Sequence, residues 1–174
     1  MNATPAGELD TRFSDPEAVA TPWAATTGVL ERAELYWITT VRPDGRPHVT
    51  PLVGVADDGV VYFCTGLDEQ KGRNLAGNEH VAITTGNNTW AAGLDVVVEG
   101  TAVRVSDRDG LERLADAYRA KYGGDWDFGV GDGVLTHGDD AEHEAALFRI
   151  EPAKVLAFAK APHGQTRYRL QKQA

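Results

Sequence analysis

The chain has 174 residues, of which 42% are apolar and 25% charged, and this composition suits one globular domain with a sizeable core. A net charge of −9 disfavours a nucleic-acid partner, and the single cysteine excludes an intrachain disulfide. No apolar run approaches the roughly 20 residues that span a bilayer, and no secretion signal precedes the first elements. A cytoplasmic protein that binds neither nucleic acid nor membrane is therefore expected.

The first regular element is predicted to be an amphipathic helix. Thr21-Pro22 is a typical helix start, because proline suits the first helical position, and the helix is expected to run to about Ala33. Leu30 falls on its apolar face and is expected to be buried. Residues 1–20 are predicted to form a flexible N-terminal segment, and residues 21–174 a single domain.

Three strands separated by tight turns follow this helix. Their apolar, β-branched and aromatic residues suit a pleated, half-buried surface, and the strands are predicted at 35–41, 46–56 and 60–66. The turns between them are Pro43-Asp44-Gly45 and Asp57-Asp58-Gly59, in which glycine supplies a positive φ. A short polar helix that carries Lys71 comes next and is stopped by Gly77.

The second half of the chain continues the same pattern. Further strands are predicted at 80–85, 94–105, 145–150, 153–159 and 165–170. Gly100 indicates a bulge or bend, and Glu151-Pro152 is predicted to separate the last strand pair. A helix begins after a capping signal at Ser106 and closes at Gly123, while 124–143 is predicted to be a long loop. These elements predict an antiparallel barrel with helical additions.

The strongest candidate site lies where the third strand ends. Thr65 and Gly66 close this strand, and Lys71 lies one turn into the following helix. The first N–H groups of a helix lack partners and the helix dipole is positive there, so these groups could converge on a phosphate. A surface turn with a solvated lysine explains the same residues, and the residues alone favour this simpler interpretation.

A second cluster, at 137–144, combines histidines with carboxylates that suit Zn²⁺ or Mn²⁺. Such a run in a glycine-rich loop is more often a solvated acidic turn, so no metal site is predicted. The chain also lacks a P-loop, a G-x-S-x-G elbow and an H-E-x-x-H pair. No catalytic residue is therefore assigned from the sequence.

An ordered set of motifs resembles a known family. The motifs are VRPDGRPHVTP at 41–51, VYFCTG at 61–66, KGRNL at 71–75, HVAI at 80–83 and VEGTA at 98–102. In this order they resemble the pyridoxamine 5′-phosphate oxidase-like family over roughly residues 23–158. The resemblance implies a mainly β, α+β fold, namely an antiparallel split β-barrel with flanking helices, of the type that binds FMN or the deazaflavin F420.

The resemblance also implies a homodimer with two cofactor sites at its interface. The backbone of the second strand would face the edge of the flavin ring at His48, Val49, Thr50 and Pro51. The phosphate would be held by Thr65, Gly66 and Lys71, and Arg73 could contribute to a basic groove. This pocket is expected to be open to a ligand and not filled by the chain's own side chains.

The function implied is an oxidoreductase that transfers hydride to or from a small molecule. Thr50, Val55 and Gln70 stand where pyridoxamine-phosphate oxidases usually carry arginine, lysine and arginine, so the parent activity is not expected. FMN is favoured over F420, because an acidic chain disfavours an oligoglutamate tail. The alternatives are a non-catalytic carrier of flavin, F420 or haem on the same fold, and a structural dimer whose site has decayed.

Overall fold

Strands dominate the residues that a computed structural model describes, which are 4–137 and 143–170. The strands are β1 (Glu8–Leu9), β2 (Tyr36–Val41), β3 (Pro47–Leu52), β4 (Val55–Asp57), β5 (Val60–Thr65), β6 (His80–Thr85), β7 (Leu94–Val105), β8 (Phe128–Val130), β9 (Leu135–His137), β10 (Glu144–Lys160) and β11 (His163–Arg169). The helices are α1 (Trp23–Arg32), α2 (Gln70–Gly77) and α3 (Arg108–Tyr122), with 3₁₀ turns at Thr11–Phe13 and Gly123–Trp126.

The sheet is antiparallel at each of its described pairings, which confirms the predicted split-barrel class. Its main path runs β1-β11-β10-β7-β6-β2-β3. The long strand β10 pairs with β7 along most of its length, while its other edge pairs first with β5 and then with β11. This exchange of partners divides the sheet into the two parts of the barrel.

The predicted break at Glu151-Pro152 is wrong, because β10 runs through it as one continuous strand. The register shifts between Pro152 and Lys154, at the point where β10 changes partner. Opposite this shift lies Gly100, where a Cβ atom would come within 2.2 Å of the Glu151 carbonyl oxygen. The predicted irregularity at Gly100 is therefore confirmed, and its physical reason is the close approach of the two backbones.

The predicted strand 46–56 is in fact two strands. β3 pairs with β2, whereas β4 pairs with β5, so the chain passes from one part of the barrel to the other between them. Gly54 lies at this crossing, and a Cβ atom there would be 2.8 Å from the Tyr62 carbonyl oxygen. A continuous β-type sequence concealed the crossing, because residue pattern does not report strand partners.

Strands also occur in two regions where none was predicted. Glu8–Leu9, within the segment expected to be flexible, pairs with Thr166 and Arg167 of β11. In the region predicted to be a loop, β8 and β9 pair with each other, and β9 also pairs with β10. Strands of two or three residues are too short to give a hydrophobic period, which is why the sequence did not reveal them.

The core has two parts, one inside the barrel under α1 and one under α3. In the first, Leu30 of α1 is fully buried against barrel residues such as Ile38 and Phe63, as predicted. In the second, Leu111 and Tyr118 pack on β-strand residues. Each large side chain buried in this way contributes about 1.5–3 kcal/mol of hydrophobic free energy. Among the described residues, every helix is too short or too polar to cross a membrane.

Candidate functional site

The connection from β5 to α2 positions the candidate phosphate site. β5 ends at Thr65 and α2 begins at Gln70, so only four residues join the sheet to the helix. Gly72, in the first turn of α2, allows the helix to pack directly on this connection, because a Cβ atom there would lie 2.4 Å from the Gly66 carbonyl oxygen. The helix thereby brings Lys71 back towards the end of β5.

Three donors converge at this point, and we call them the anion cradle: the Thr65 hydroxyl, the Gly66 N–H and the Lys71 ammonium. Thr65 Oγ1 lies 3.1 Å from Glu69 Oε1 and 3.1 Å from the Gly66 carbonyl oxygen, so its single proton is shared between these two acceptors. The Gly66 N–H donates to Glu69 Oε1 at 2.9 Å. Lys71 Nζ forms an ion pair with Glu69 Oε2. The donors predicted from the sequence therefore do come together, but on a carboxylate of the chain itself.

Burial distinguishes the donors from the acceptor. Thr65 is 2% exposed and Lys71 is 9% exposed, so the surrounding structure holds both side chains in place. The Glu69 side chain is 50% exposed and covers the cradle from the solvent side. The expectation of an open pocket is thus wrong for this conformation, because the Glu69 carboxylate takes the hydrogen bonds and the ion pair of the three donors.

The donors of the anion cradle stabilise the charged form of the Glu69 carboxylate. Burial acts to raise the pKa of Glu69, but hydrogen bonds from Lys71, Gly66 and Thr65 outweigh it and lower the pKa below its ordinary value. The carboxylate is therefore ionised at neutral pH. Sequence reasoning missed Glu69. The only signal was an acidic residue two positions before the lysine, and this spacing is too common to be informative.

Polar contacts connect α2 to the second predicted strand. Asn74 Nδ2 donates to Thr40 Oγ1 at 2.9 Å, and Thr40 Oγ1 lies 3.5 Å from His48 Nδ1. Burial lowers the pKa of His48, and the positive charges of Arg42 and Lys71 lower it further. His48 is therefore neutral at neutral pH. It lies close enough to Lys71 of the cradle for the charge of that ammonium to lower its pKa.

The other predicted residues of β3 alternate between two faces. Val49, which is 55% exposed, and Pro51 point outwards, and Pro51 pairs with Trp37 of β2. Thr50 lies opposite the buried Ile38, and its Oγ1 atom is buried without a hydrogen-bond partner among the described residues. In the described part of the sheet β3 pairs only with β2, so its other edge has backbone groups that no strand satisfies.

Arg73 and the predicted acidic cluster do not join the cradle. Arg73 is exposed on α2, and Glu69 forms its ion pair with Lys71 and not with Arg73. Residues 138–142 of the cluster at 137–144 lie outside the described residues. Within the described ranges, no three His, Cys, Asp or Glu side chains lie close enough together to hold a metal ion.

Two cavities, of about 550 and 520 Å³, are lined by other residues. The first lies beside Arg167 and Arg169 of β11, and the second beside Arg104 and Arg113. At the anion cradle, by contrast, the half-exposed Glu69 side chain faces solvent. On the outer face of β3, the exposed Val49 side chain does so.

Solved structures with a similar fold come from several proteins. A conserved hypothetical protein from Mycobacterium tuberculosis aligns with a TM-score of 0.66 at 19% identity, over 84% of this chain and 89% of that chain. A haem-binding protein from Mycobacterium smegmatis aligns with a TM-score of 0.62 at 15% identity, over 86% and 59%. An FAD-binding protein from the same organism aligns with a TM-score of 0.53 at 18% identity, over 84% and 94%. These likenesses show the fold.

Sequence comparison gives the family. The pyridoxine/pyridoxamine 5′-phosphate oxidase of Rhodospirillum rubrum is 30% identical over 122 residues, which are 64% of this chain and 59% of that protein. Across the curated relatives found, the matched part spans 33% to 59% of the relative's length. The family model described as pyridoxamine 5′-phosphate oxidase matches residues 23–159, which is well over half of the chain. The chain therefore belongs to the pyridoxamine 5′-phosphate oxidase family.

Proposed function

We propose that this chain binds FMN and acts as a flavin-dependent oxidoreductase that moves hydride to or from a small molecule. The observation that carries the proposal is the convergence of the Thr65 hydroxyl, the Gly66 N–H and the Lys71 ammonium on one anion. Phosphate oxygens accept the same bonds as the oxygens of a carboxylate. The Glu69 carboxylate thus stands in for the cofactor phosphate, and the donor set fits that group.

The ring of the flavin would lie along β3. Backbone groups on the unpaired edge of this strand can hydrogen-bond with the ring. Val49 of β3 and Trp37 of the neighbouring β2 provide exposed apolar surface. When bound, the flavin itself supplies the hydride chemistry, so the chain needs to bind and orient the ring and to exclude water. His48 of β3, whose pKa is lowered, is a polar side chain that could hold a substrate or the ring in place.

A second copy of the chain would complete the site. Three large apolar side chains on β3, on β2 and just before β2 are exposed, with exposed fractions of 55% for Val49, 46% for Trp37 and 47% for Leu35. Exposed large apolar side chains are typical of protein interfaces, and a flavin ring needs cover on more than one face. We therefore include a homodimer in the proposal, with the cofactor at the contact between the two copies.

Replacing Lys71 with alanine tests the placement of the phosphate. The change removes a charge-assisted hydrogen bond, so we expect FMN binding to weaken by about 1.5–3 kcal/mol, or roughly ten- to a hundredfold in Kd. A flavin fluorescence titration at low salt measures this change. Binding of riboflavin, which lacks the phosphate, should not change, and Arg73→Ala should have a smaller effect because Arg73 is exposed and outside the ion pair. Equal FMN affinity in Lys71→Ala and the unaltered chain would contradict the placement.

A second candidate function is the binding or carriage of haem without catalysis. The observation that favours it is the fold shared with the haem-binding protein of Mycobacterium smegmatis. In this chain the imidazole of His48 could ligate iron, because it is neutral and lies near the surface. The visible spectrum of the purified protein separates a haem Soret band from flavin bands. Titration with F420 then tests the deazaflavin as cofactor, which the net charge of −9 disfavours.

A further inference from the structure

We propose that Glu69 is an internal competitor of the cofactor phosphate, and that its charge sets the affinity of the site for phosphorylated flavin. This inference rests on the proposed function. Glu69 accepts a hydrogen bond or ion pair from all three donors of the anion cradle. A phosphate bound by Thr65, Gly66 and Lys71 needs the same protons, so the carboxylate must leave before the phosphate can enter.

The local structure allows the side chain to leave while the donors stay. The backbone of Glu69 is fixed, because its N–H donates to the Gly66 carbonyl oxygen at 3.2 Å and its carbonyl oxygen accepts from the Arg73 N–H at 2.9 Å. Its side chain, however, is half exposed and can rotate into solvent. Thr65 and Lys71 are buried, so they keep their positions for the incoming anion.

The same contacts of Glu69 stabilise the folded chain when no cofactor is bound. Lys71 is a nearly buried ammonium, and a buried charge is costly to fold unless it is paired. Glu69 provides that pairing in the free chain. Removing its charge should therefore have two opposite effects, since the free chain loses stability while the phosphate site loses its competitor and a nearby repulsive charge.

Glu69→Gln tests the inference, because it removes the charge and keeps the shape. We expect FMN to bind about tenfold more tightly, which corresponds to 1.4 kcal/mol, and riboflavin to bind as before. The melting temperature of the flavin-free chain should fall, and saturating FMN should reduce the difference from the unaltered protein. The matched control is Asp68→Asn, which removes the same charge from the adjacent exposed residue, whose side chain makes no hydrogen bond to the cradle. Asp68→Asn should change neither the FMN affinity nor the melting temperature as much as Glu69→Gln does.

Fluorescence titrations with FMN and riboflavin, together with thermal unfolding, distinguish the outcomes. If Lys71→Ala weakens FMN binding but Glu69→Gln and Glu69→Ala leave it unchanged or weaker, the role of Glu69 is overturned and the phosphate site stands. If Asp68→Asn tightens FMN binding as much as Glu69→Gln, general charge and not competition is the cause, and the inference is also overturned. If neither flavin binds to the unaltered chain or to any variant, the proposed function itself fails.

Discussion

At the scale of single residues, two threonines show what a buried hydroxyl requires. Thr40 is fully buried, and its Oγ1 atom accepts a hydrogen bond from Asn74 at 2.9 Å. Thr50 also turns its hydroxyl inwards, but this atom has no partner among the described residues. A buried polar group without a partner costs free energy, whereas a paired one is roughly neutral or favourable. Substitution by valine should therefore change the free energy of unfolding in opposite directions at Thr40 and Thr50.

We expect Thr50→Val to raise the free energy of unfolding by about 1 kcal/mol, because it replaces an unpaired hydroxyl with a methyl group. Thr40→Val should lower it by about 1–3 kcal/mol, because the amide of the buried Asn74 loses its acceptor. Denaturant unfolding measures both. If Thr50→Val proves as destabilising as Thr40→Val, the Thr50 hydroxyl has a partner, such as an ordered water.

At the scale of elements, β10 decides the shape of the barrel. One edge of this strand stays with β7, while the other passes from β5 to β11 where the register shifts. The close approach at that point leaves no room for a side chain at Gly100. The register shift thus depends on the absence of a side chain at Gly100 of β7. Thr65 of β5 pairs with Ala146, in the part of β10 before the shift.

Gly100→Ala should destabilise the fold by about 2–3 kcal/mol or more, since the new methyl group would meet the Glu151 carbonyl oxygen at 2.2 Å. Gly77→Ala, in the last turn of α2, is the matched control: nothing described lies within 4 Å of the new atom, so a change within about 1 kcal/mol is expected. Thermal or denaturant unfolding compares the two. Equal stabilities would show that the strand can shift to accommodate a side chain at Gly100.

At the scale of the whole molecule, Lys121 of α3 ties the helix to both parts of the barrel. Its ammonium donates to the Gly54 carbonyl oxygen at 2.8 Å, where the chain crosses between the parts, and to the Tyr36 hydroxyl of β2 at 3.2 Å. It also lies over the rings of Tyr36 and Tyr122, at 5.1 and 5.3 Å from their centroids. Burial lowers the pKa of Lys121 to about 8.

This shift predicts a pH dependence of stability with a definite sign. In the unfolded chain Lys121 keeps its ordinary pKa of 10.5, so between about pH 8 and 10.5 the unfolded state binds more protons than the folded state. The free energy of unfolding therefore rises with pH through this window, as Lys121 loses its proton. Below the window the charged, partly buried ammonium lowers it. Unfolding of the unaltered chain and of Lys121→Met, followed across the window, should show the unaltered chain gaining relative to the variant. Parallel curves would contradict the lowered pKa of Lys121.

Local pattern was enough to predict many of the elements and the main donors of the site. Alternating β-branched residues and glycine turns located β2, β5, β6 and β7, and caps located α3. The order of the motifs identified the family, and the predicted meeting of Thr65 and Lys71 at the end of β5 is confirmed. Their contact with a phosphate stays a prediction. These signals succeed because turns, caps and hydrophobic periods depend on residues within a few positions of one another.

Only the tertiary structure decided which strands pair and what lies on the anion cradle. Nothing local at 46–56 reveals that β3 and β4 join different parts of the barrel, since partner choice depends on strands far along the chain. The ion pair of Glu69 likewise forms only because the end of β5 and the start of α2 present their protons to one point in space. Sequence spacing can place a carboxylate near a lysine, but its rotamer is set by donors that the fold brings together.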